Sequence, residues 1–314
     1  MRAWQWPVIV FTLLALLLVV AVFWPLPPLD TRPPRELAGP ESRFLTVGAT
    51  EVHYQRSGEG EPAWVLLHGF GASAFSWREV MAPGALPGTR YAFDRPAFGL
   101  TSRDFPGSYG EDEVLALTMA LLDEWGLEEA IVVGHSAGGR LAALLARDYP
   151  ERVSRMVLIS PALQGRGSPP RWVQRILKSS WLEPLARRLI RRALAHPHRA
   201  LQTAWHDSER LTQEVVEGYA LPLKAQDWDR ALWHFALAQM KGTQAPVSLG
   251  DLTQDILVIV GDADDIIDSQ KTLEEIGDAG NVEVHLISDC GHLPHEEKPG
   301  PVLSLLRLFL GEMK

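Results

Sequence analysis

Four unbroken apolar runs limit what this chain can fold into. AWVLLH begins at Ala63, AIVVG at Ala130, RMVLIS at Arg155 and DILVIVG at Asp255. Strands that are exposed on one face alternate apolar and polar residues, whereas parallel strands are buried on both faces and read as continuous apolar runs. Helical patterns separate the runs, which is typical of a sheet covered by helices on both sides. The sequence therefore predicts an α/β fold with a mostly parallel sheet.

The same alternation gives the predicted element boundaries. Eight strands are predicted, at 44–47, 52–55, 63–68, 89–93, 130–134, 155–160, 255–261 and 282–287. Helices are predicted at 73–80, 110–125, 137–148, 269–277 and 301–311. Between the sixth and seventh strands the alternation fails, and the sequence reads as several helices. We therefore predict a core of residues 44–160 and 253–314, with residues 161–252 inserted as a helical cap.

A serine between two glycines follows the fifth predicted strand. Gly134, Ser136 and Gly138 form a G-x-S-x-G motif between the run AIVVG and the helical run RLAALLARDYP. In this strand–turn–helix setting the turn is so tight that glycines are needed beside the serine, whose hydroxyl projects above the sheet. The motif predicts Ser136 as a nucleophile.

Two later loops offer the base and the acid that such a serine needs. His292 follows the last predicted strand, so its loop opens at the same edge of the sheet as Ser136. Its neighbour His295 is a second candidate, whereas the side chain of His135 should diverge from the serine and be structural. Asp264 follows the run DILVIVG, where a carboxylate can accept the histidine Nδ1–H and fix its tautomer. Further aspartates in that loop leave the choice of acid open: Asp262, Asp265 and Asp268.

Backbone donors for a developing oxyanion are predicted in two places. The tetrapeptide HGFG after the third predicted strand includes Phe70, and Ala137 follows the serine. Negative charge on the carbonyl oxygen of a substrate needs donors that are already oriented. The N–H groups of Phe70 and Ala137 are therefore the predicted oxyanion hole.

The order Ser136, Asp264, His292, together with these loops, resembles the α/β-hydrolase superfamily over residues 44–314. The segment DRPAFGLTS also resembles the D-x-P-G-x-G-x-S loop of that family, with Ala97 in place of the first glycine. The resemblance implies an eight-stranded α/β-hydrolase fold with an inserted cap. It also implies an acyl-enzyme route, because serine rather than aspartate occupies the elbow.

The function expected from this resemblance is that of a serine esterase or lipase acting on a small-molecule or lipid acyl ester. A carbon–carbon bond hydrolase or an amidase would use the same residues, since cap shape selects the substrate. A catalytically silent, membrane-tethered binding module is the alternative from another class. The mechanism requires no metal and no organic cofactor, and the single cysteine, Cys290, excludes a cysteine-based zinc cluster or an intramolecular disulfide.

An uncharged apolar run extends from Val8 to Trp24. As a helix it would be about 26 Å long, which is within the range of membrane-spanning segments. Trp4 and Trp6 precede it, and indoles favour membrane interfaces. A cleaved signal peptide is the alternative, although no small-x-small site follows the run. Residues 1–24 are therefore predicted to be an N-terminal membrane anchor.

Residues 25–43 are predicted to form a proline-rich linker. Five prolines between Pro25 and Pro34 indicate a stiff, extended spacer that lifts the catalytic domain off the membrane. Arginines are nearly balanced on the two sides of the apolar run, so the positive-inside rule leaves the orientation open. The short head before the run weakly favours a catalytic domain outside the cytoplasm, on the periplasmic side.

Charge is distributed unevenly along the chain. The net charge of −9 argues against nucleic acid as a partner, because phosphate binding requires a basic face. The cap nevertheless contains a basic stretch, and four of its arginines would share one arc of a helix: Arg187, Arg188, Arg191 and Arg192. Such a helix either packs on the core with a solvated outer face or faces anionic headgroups. The basic cap is thus a second predicted membrane contact.

Overall fold

A computed structural model describes residues 25–103, 109–165, 167–240, 245–276 and 279–311, together with residues 6, 9, 10, 12 and 13. Its centre is one eight-stranded sheet in the order β1-β2-β4-β3-β5-β6-β7-β8. The strands are β1 (Arg43–Val47), β2 (Thr50–Ser57), β3 (Ala63–Leu67), β4 (Thr89–Phe93), β5 (Ala130–His135), β6 (Val153–Ile159), β7 (Asp255–Gly261) and β8 (Val282–Ile287). β2 pairs antiparallel with β1 and β4, and all other pairings are parallel. The predicted fold class is confirmed.

The apolar runs form the central strands for a physical reason. Every residue of β3 and β5 is buried, so both faces of the sheet are covered there. Parallel strands need crossover connections, and these bring the carboxyl ends of β3, β5, β7 and β8 to one edge of the sheet. The loops with the predicted site residues all follow these strand ends.

The helices around the core are α1 (Arg78–Met81), α2 (Glu111–Glu124), α3 (Ala137–Asp148), α9 (Ser269–Ile276), α10 (Pro294–Glu297) and α11 (Pro299–Phe309). Leucines and valines of α2 and α3 pack on one face of the sheet. Residues of α1 and α11 pack on the other face. The helix predicted at 73–80 begins as a 3₁₀ turn, Ala74–Trp77, before α1.

The segment between β6 and β7 is helical, as predicted. It contains α4 (Arg171–Leu177), α5 (Glu183–Ala193), α6 (Pro197–Ala204), α7 (Gln213–Ala220) and α8 (Trp228–Ala238). These five helices are called the cap below.

A buried ion cluster joins α5 to α8. The side chain of Asp229 is 1% exposed and accepts hydrogen bonds from Arg187 Nε at 2.9 Å and Arg191 Nε at 2.7 Å. Burial alone would raise the pKa of Asp229. The two guanidinium groups lower this pKa by more than burial raises it, so the net shift is downward. A buried carboxylate needs such partners because desolvation of an unpaired charge is costly.

This cluster corrects the predicted basic face of α5. Arg187 and Arg191 point toward α8 rather than toward solvent, so they are not available to headgroups. Leu189, which would pack inward if the four arginines faced outward, is 60% exposed. The helix is rotated relative to the prediction because Asp229, which is distant in sequence, requires the two arginines.

The proline-rich linker lies along the cap. Arg32 N donates to Lys224 O and Arg32 O accepts from Gln226 N, both at 2.9 Å. Arg191 Nη1 donates to Pro27 O at 2.6 Å. The cap therefore binds the proline-rich linker at two points.

The predicted membrane segment, Val8 to Trp24, lies outside the described residues except for positions 9, 10, 12 and 13. In the part of the chain that the structure describes, no helix combines the length and apolar character needed to cross a bilayer.

Candidate active site

Ser136 occupies a strained turn between β5 and α3. Its φ is 52° and its ψ is −118°, a region that disfavours residues with a Cβ. The turn also brings backbones into close contact: a Cβ on Gly134 would lie 2.4 Å from Gly138 O, and one on Gly138 would lie 2.0 Å from Leu67 O. Both glycines of the motif are therefore required. The serine is half-buried at the N-terminus of α3, where the helix dipole favours negative charge.

His292 and Asp264 form a buried pair. His292 Nδ1 lies 2.8 Å from Asp264 Oδ2, and the side chains are 6% and 0% exposed. Asp264 Oδ1 accepts from the backbone N–H groups of Ile266 at 2.8 Å and Ile267 at 2.9 Å. One carboxylate oxygen is thus held by the backbone while the other fixes the Nδ1–H tautomer. This leaves Nε2 of His292 as a proton acceptor.

The other candidates have different surroundings. Asp265 is exposed, Asp262 Oδ1 accepts from Cys290 N at 3.3 Å, and Asp268 Oδ1 accepts from Lys271 N at 3.0 Å. Among the described contacts, Asp264 is the sole aspartate that pairs with His292, and no hydrogen bond joins His292 to Ser136 Oγ. Hydrogen bonds between nucleophile and base are often long in unliganded enzymes and tighten when substrate binds.

His135 and His295 lie behind the site. His135 Nε2 lies 2.9 Å from His292 O, and its ring centroid is 4.8 Å from that of His295. His295 is buried and also stacks on Trp77 at 4.5 Å. Burial lowers the pKa of His295 to about 3, and burial together with the neighbouring rings of His292 and His295 lowers that of His135 well below its usual value. Both rings are therefore neutral packing elements near the loop of His292.

The predicted oxyanion loop packs against the serine turn. A Cβ on Gly69 would lie 3.2 Å from Ser136 Cβ and 2.8 Å from His135 Nδ1, so glycine permits this approach. Gly69 O accepts from His68 Nδ1 at 2.8 Å and from Arg95 Nη2 at 2.9 Å. Burial lowers the pKa of His68 to about 3, so its ring is neutral.

These contacts fix one peptide plane. In a trans peptide the carbonyl and the following N–H point in opposite directions. Because Gly69 O is directed toward His68 and Arg95, the N–H of Phe70 is directed away from them. His68 Nε2 accepts from Arg95 N at 3.0 Å, which holds the donors in place. The sequence had not identified Arg95 as part of this support.

The D-x-P-A-x-G loop is tied to the oxyanion region by Asp94. Its carboxylate accepts from Ala74 N and Leu100 N, both at 2.6 Å, and from His53 at 2.7 Å. Burial raises the pKa of Asp94, yet His53, His68 and these donors bring it down to about 2. Ala97 adopts a φ of 76°. The alanine thus occupies the left-handed conformation for which the family uses glycine.

Aromatic side chains form an apolar wall beside the predicted oxyanion loop. The ring centroid of Phe70 lies 5.6 Å from that of Phe98 and 5.7 Å from that of Phe235 in the cap. The rings of Phe98 and Phe235 are 4.9 Å apart. Phe70 is 64% exposed despite these contacts. Core and cap together therefore present an accessible apolar surface near Ser136.

A buried glutamate joins the cap to the loop of His292, and sequence reasoning missed it. Glu297 accepts from Gly291 N at 2.9 Å, His206 N at 3.1 Å and Asp207 N at 3.0 Å. His292 N also donates to Ala204 O in the cap at 2.7 Å. The sequence carries no signal of the contacts with residues 206 and 207, since these are backbone groups about 90 residues from Glu297.

Comparison with known proteins agrees with this architecture. A family model described as alpha/beta hydrolase fold matches residues 62–299. Uncharacterized hydrolase YugF of Bacillus subtilis is 27% identical over 84% of this chain and 95% of its own length. A 2-hydroxy-6-oxo-6-phenylhexa-2,4-dienoate hydrolase of Comamonas testosteroni is 28% identical over 83% of this chain and 93% of its own length. A solved membrane phospholipase A has a TM-score of 0.66 at 20% identity and covers 99% of this chain and 98% of that one.

Proposed function

Because this chain belongs to the α/β-hydrolase fold family and is a hydrolase, we propose that it cleaves carboxylic esters of hydrophobic acyl groups through an acyl-enzyme on Ser136. The observation that carries the proposal is the buried His292–Asp264 pair, with its 2.8 Å hydrogen bond, beside the strained serine turn. A histidine with this tautomer is the base that a serine nucleophile needs.

In the proposed mechanism, His292 Nε2 takes the proton of Ser136 Oγ as the oxygen attacks the substrate carbonyl. The oxyanion accepts hydrogen bonds from the N–H groups of Phe70 and Ala137. Asp264 stabilises the imidazolium, which then gives its proton to the leaving alkoxide. Water, deprotonated by His292, attacks the acyl-enzyme and releases the acid. His292 gives the proton of that water to Ser136 Oγ as the acid leaves, which restores the free enzyme.

The aromatic wall supports a hydrophobic acyl group as the preferred substrate. Phe70 on the core is largely exposed and Phe235 in the cap is partly exposed, while Phe98 is buried against both rings. Burial of apolar surface on such rings stabilises an alkyl or aryl chain by about 25 cal/mol per Å². We expect turnover of p-nitrophenyl esters to rise with acyl chain length until the wall is filled.

A second candidate reaction is carbon–carbon bond hydrolysis. Relatives with the printed activities of oxo-dienoate and muconate semialdehyde hydrolases are 28% identical over most of the chain. The same serine, histidine and aspartate would serve in such a reaction. The preferred substrate therefore distinguishes ester hydrolysis from carbon–carbon bond hydrolysis. Monoacylglycerols and p-nitrophenyl esters should be assayed beside a 2-hydroxy-6-oxo-dienoate. Faster cleavage of the dienoate would replace the ester proposal with this candidate.

We further propose that residues 1–24 anchor the chain in a membrane, with the catalytic domain outside the cytoplasm. The uncharged run from Val8 to Trp24 and its flanking tryptophans support this part of the proposal. The full chain should stay with membranes after an alkaline carbonate wash, and protease added outside spheroplasts should digest the domain. A soluble mature form that begins near residue 25 would demonstrate a cleaved signal instead.

The catalytic proposal is tested with a fluorophosphonate probe. The native chain should be labelled, whereas folded Ser136→Ala and His292→Ala variants should lose labelling and nearly all ester turnover. Because the members of a triad act as a unit, the double variant should be little worse than either single one. Absence of labelling in the folded native chain would favour a catalytically silent binding module, and substantial turnover in Ser136→Ala would exclude the proposed nucleophile.

A further inference from the structure

The cap exposes several large apolar side chains between residues 172 and 189. Trp172 is 66% exposed, Ile176 45%, Trp181 47% and Leu189 60%. Trp172 and Ile176 are four residues apart on α4 and therefore lie on the same face. Exposed apolar residues are usually scattered singly, whereas a concentration of them indicates an interaction surface. We refer to these four residues as the cap apolar surface.

Exposed basic side chains accompany the cap apolar surface: Arg171, Arg175, Lys178, Arg192 and Arg199. From residue 171 to 199 the sequence contains one acid, Glu183, and that carboxylate is engaged by Arg230 at 2.9 Å. Indoles and aliphatic groups surrounded by cations are the composition of surfaces that lie at the headgroup level of anionic bilayers. The charge of this part of the cap is therefore complementary to a negatively charged membrane.

The linker that follows the apolar run is bound by the cap. Arg191, on α5, binds the carbonyl oxygen of Pro27, and Arg32 is held by backbone hydrogen bonds to the α7–α8 connection. Pro27 lies three positions after Trp24, the end of the apolar run, and three residues span about 10 Å at most. The linker is therefore held at α5 by a residue only three positions after the end of the apolar run.

We propose that the cap apolar surface lies in the headgroup region of the same bilayer that holds residues 8–24. This inference rests on the proposed membrane anchor and assigns the anionic lipid surface as the partner of the cap. With the linker held at two points, membrane insertion of the leader orients the cap toward the bilayer. A lipid acyl ester leaving the bilayer then meets the cap first, before it reaches Ser136.

Depth measurements on the full-length chain in nanodiscs with anionic lipid test the inference. A spin label is attached to cysteine introduced by Trp181→Cys or Leu189→Cys. The matched controls are Ile266→Cys and Leu286→Cys, at core positions with exposures of 51% and 52%. The native Cys290 should stay unlabelled, because it is fully buried and burial raises the pKa of its thiol to about 12.

The cap labels are expected to be more accessible to oxygen than to a water-soluble nickel complex, and the control labels the reverse. Equal nickel accessibility at cap and control positions in a chain that stays in the nanodisc would overturn the inference while leaving the anchor intact. Protection of the cap labels from both reagents would assign a second copy of the chain as the partner and also overturn it. Failure of the chain to stay in the nanodisc would instead refute the anchor.

Charge variants give an independent readout. The triple variant Arg171→Gln, Arg175→Gln, Lys178→Gln should hydrolyse an ester in anionic vesicles at least tenfold more slowly than the native chain, with little change on a small soluble ester. The difference should disappear near 1 M salt, where the Debye length is about 3 Å. A matched control is Arg43→Gln, Arg56→Gln, Lys271→Gln, which removes the same charge from the core. An equal loss in both triple variants would refute a specific cap contact.

Discussion

The sheet and the cap of this protein are stabilised in different ways. Every residue of β3 and β5 is buried, whereas α4 and α5, both described along their whole length, contain no buried residue. The sheet is held by close-packed apolar contacts that extend over both of its faces. In the cap, the directed polar contacts of Asp229 and Glu297 stand beside small apolar clusters such as that of Trp205 and Val215. Mutations should therefore be able to disturb the cap without unfolding the core.

The largest effect is expected where the rigid core holds the predicted acid. Asp264→Asn should lower kcat by about 10⁴-fold with the fold intact, because an amide no longer fixes the tautomer of His292. Asp265→Asn is the matched control and should leave kcat nearly unchanged, since that side chain is exposed. Steady-state kinetics and circular dichroism of both variants provide the measurement. If Asp265→Asn is the damaging change, the acid has been assigned to the wrong aspartate.

A large effect on stability is expected at the ion cluster of the cap. Asp229→Ala leaves Arg187 and Arg191 without their acceptor, which should destabilise the cap by about 2–4 kcal/mol, less than for a fully buried pair because both arginines are partly exposed. Hydrogen exchange should accelerate in α5 and α8 but not in β5. Asp148→Ala, which removes an exposed partner of Arg147, is the control and should cost less than 1 kcal/mol. Equal acceleration in the sheet would contradict a separable cap.

A smaller effect is expected where cap and core meet. Glu297→Gln keeps the shape of the side chain. Its amide N–H₂, however, would face at least one of the backbone N–H groups that now donate to the carboxylate. Misplacement of His292 should lower kcat by roughly tenfold, about 1.4 kcal/mol, with little change in KM for a small ester. Glu296→Gln is the neighbouring control, since its carboxylate contacts Arg78 and Tyr219 instead. A change confined to KM would remove Glu297 from the positioning of His292.

The smallest effect concerns the buried histidines of the core. The pKa of His295 is lowered to about 3 by burial, against about 6.5 for an unfolded chain, so only the unfolded state takes up its proton between these values. The stability contributed by a neutral His295 is complete above pH 6.5 and is lost as the pH falls toward 3. His295→Phe should reduce the slope of unfolding free energy against pH by about 1.4 kcal/mol per unit between pH 6 and 4. Urea titrations at several pH values measure this slope, and an unchanged slope would contradict a neutral His295.

Sequence reasoning predicted the sheet well because burial on both faces leaves a local signature. All eight strands lie within two residues of their predicted bounds, and the loop residues Asp264 and His292 form the expected pair. These residues lie in loops after parallel strands, and such loops open at the same edge of the sheet. The pattern of apolar runs along the sequence is enough to predict this placement.

The cap was predicted less well because its contacts join residues far apart in sequence. The rotation of α5 depends on Asp229, about 40 residues further along, and helical periodicity carries no information on that partner. The course of the linker depends on Arg191 and on backbone groups near Lys224. Glu297 binds backbone N–H groups, which are identical at every non-proline position and therefore leave no trace in the sequence.

The network around Glu297 also affects how this protein could be recombined with its relatives. An exchange of the whole inserted segment would transfer more than substrate preference. Ala204 O accepts from His292 N, and the N–H groups of residues 206 and 207 bind Glu297, which in turn accepts from Gly291 N. In a chimera whose segment between β6 and β7 comes from a relative, His292 of this chain would therefore be held by backbone groups of the relative. Either the cap of the relative must place backbone groups at the same positions, or residues 204–207 of the recipient must be kept together with its core.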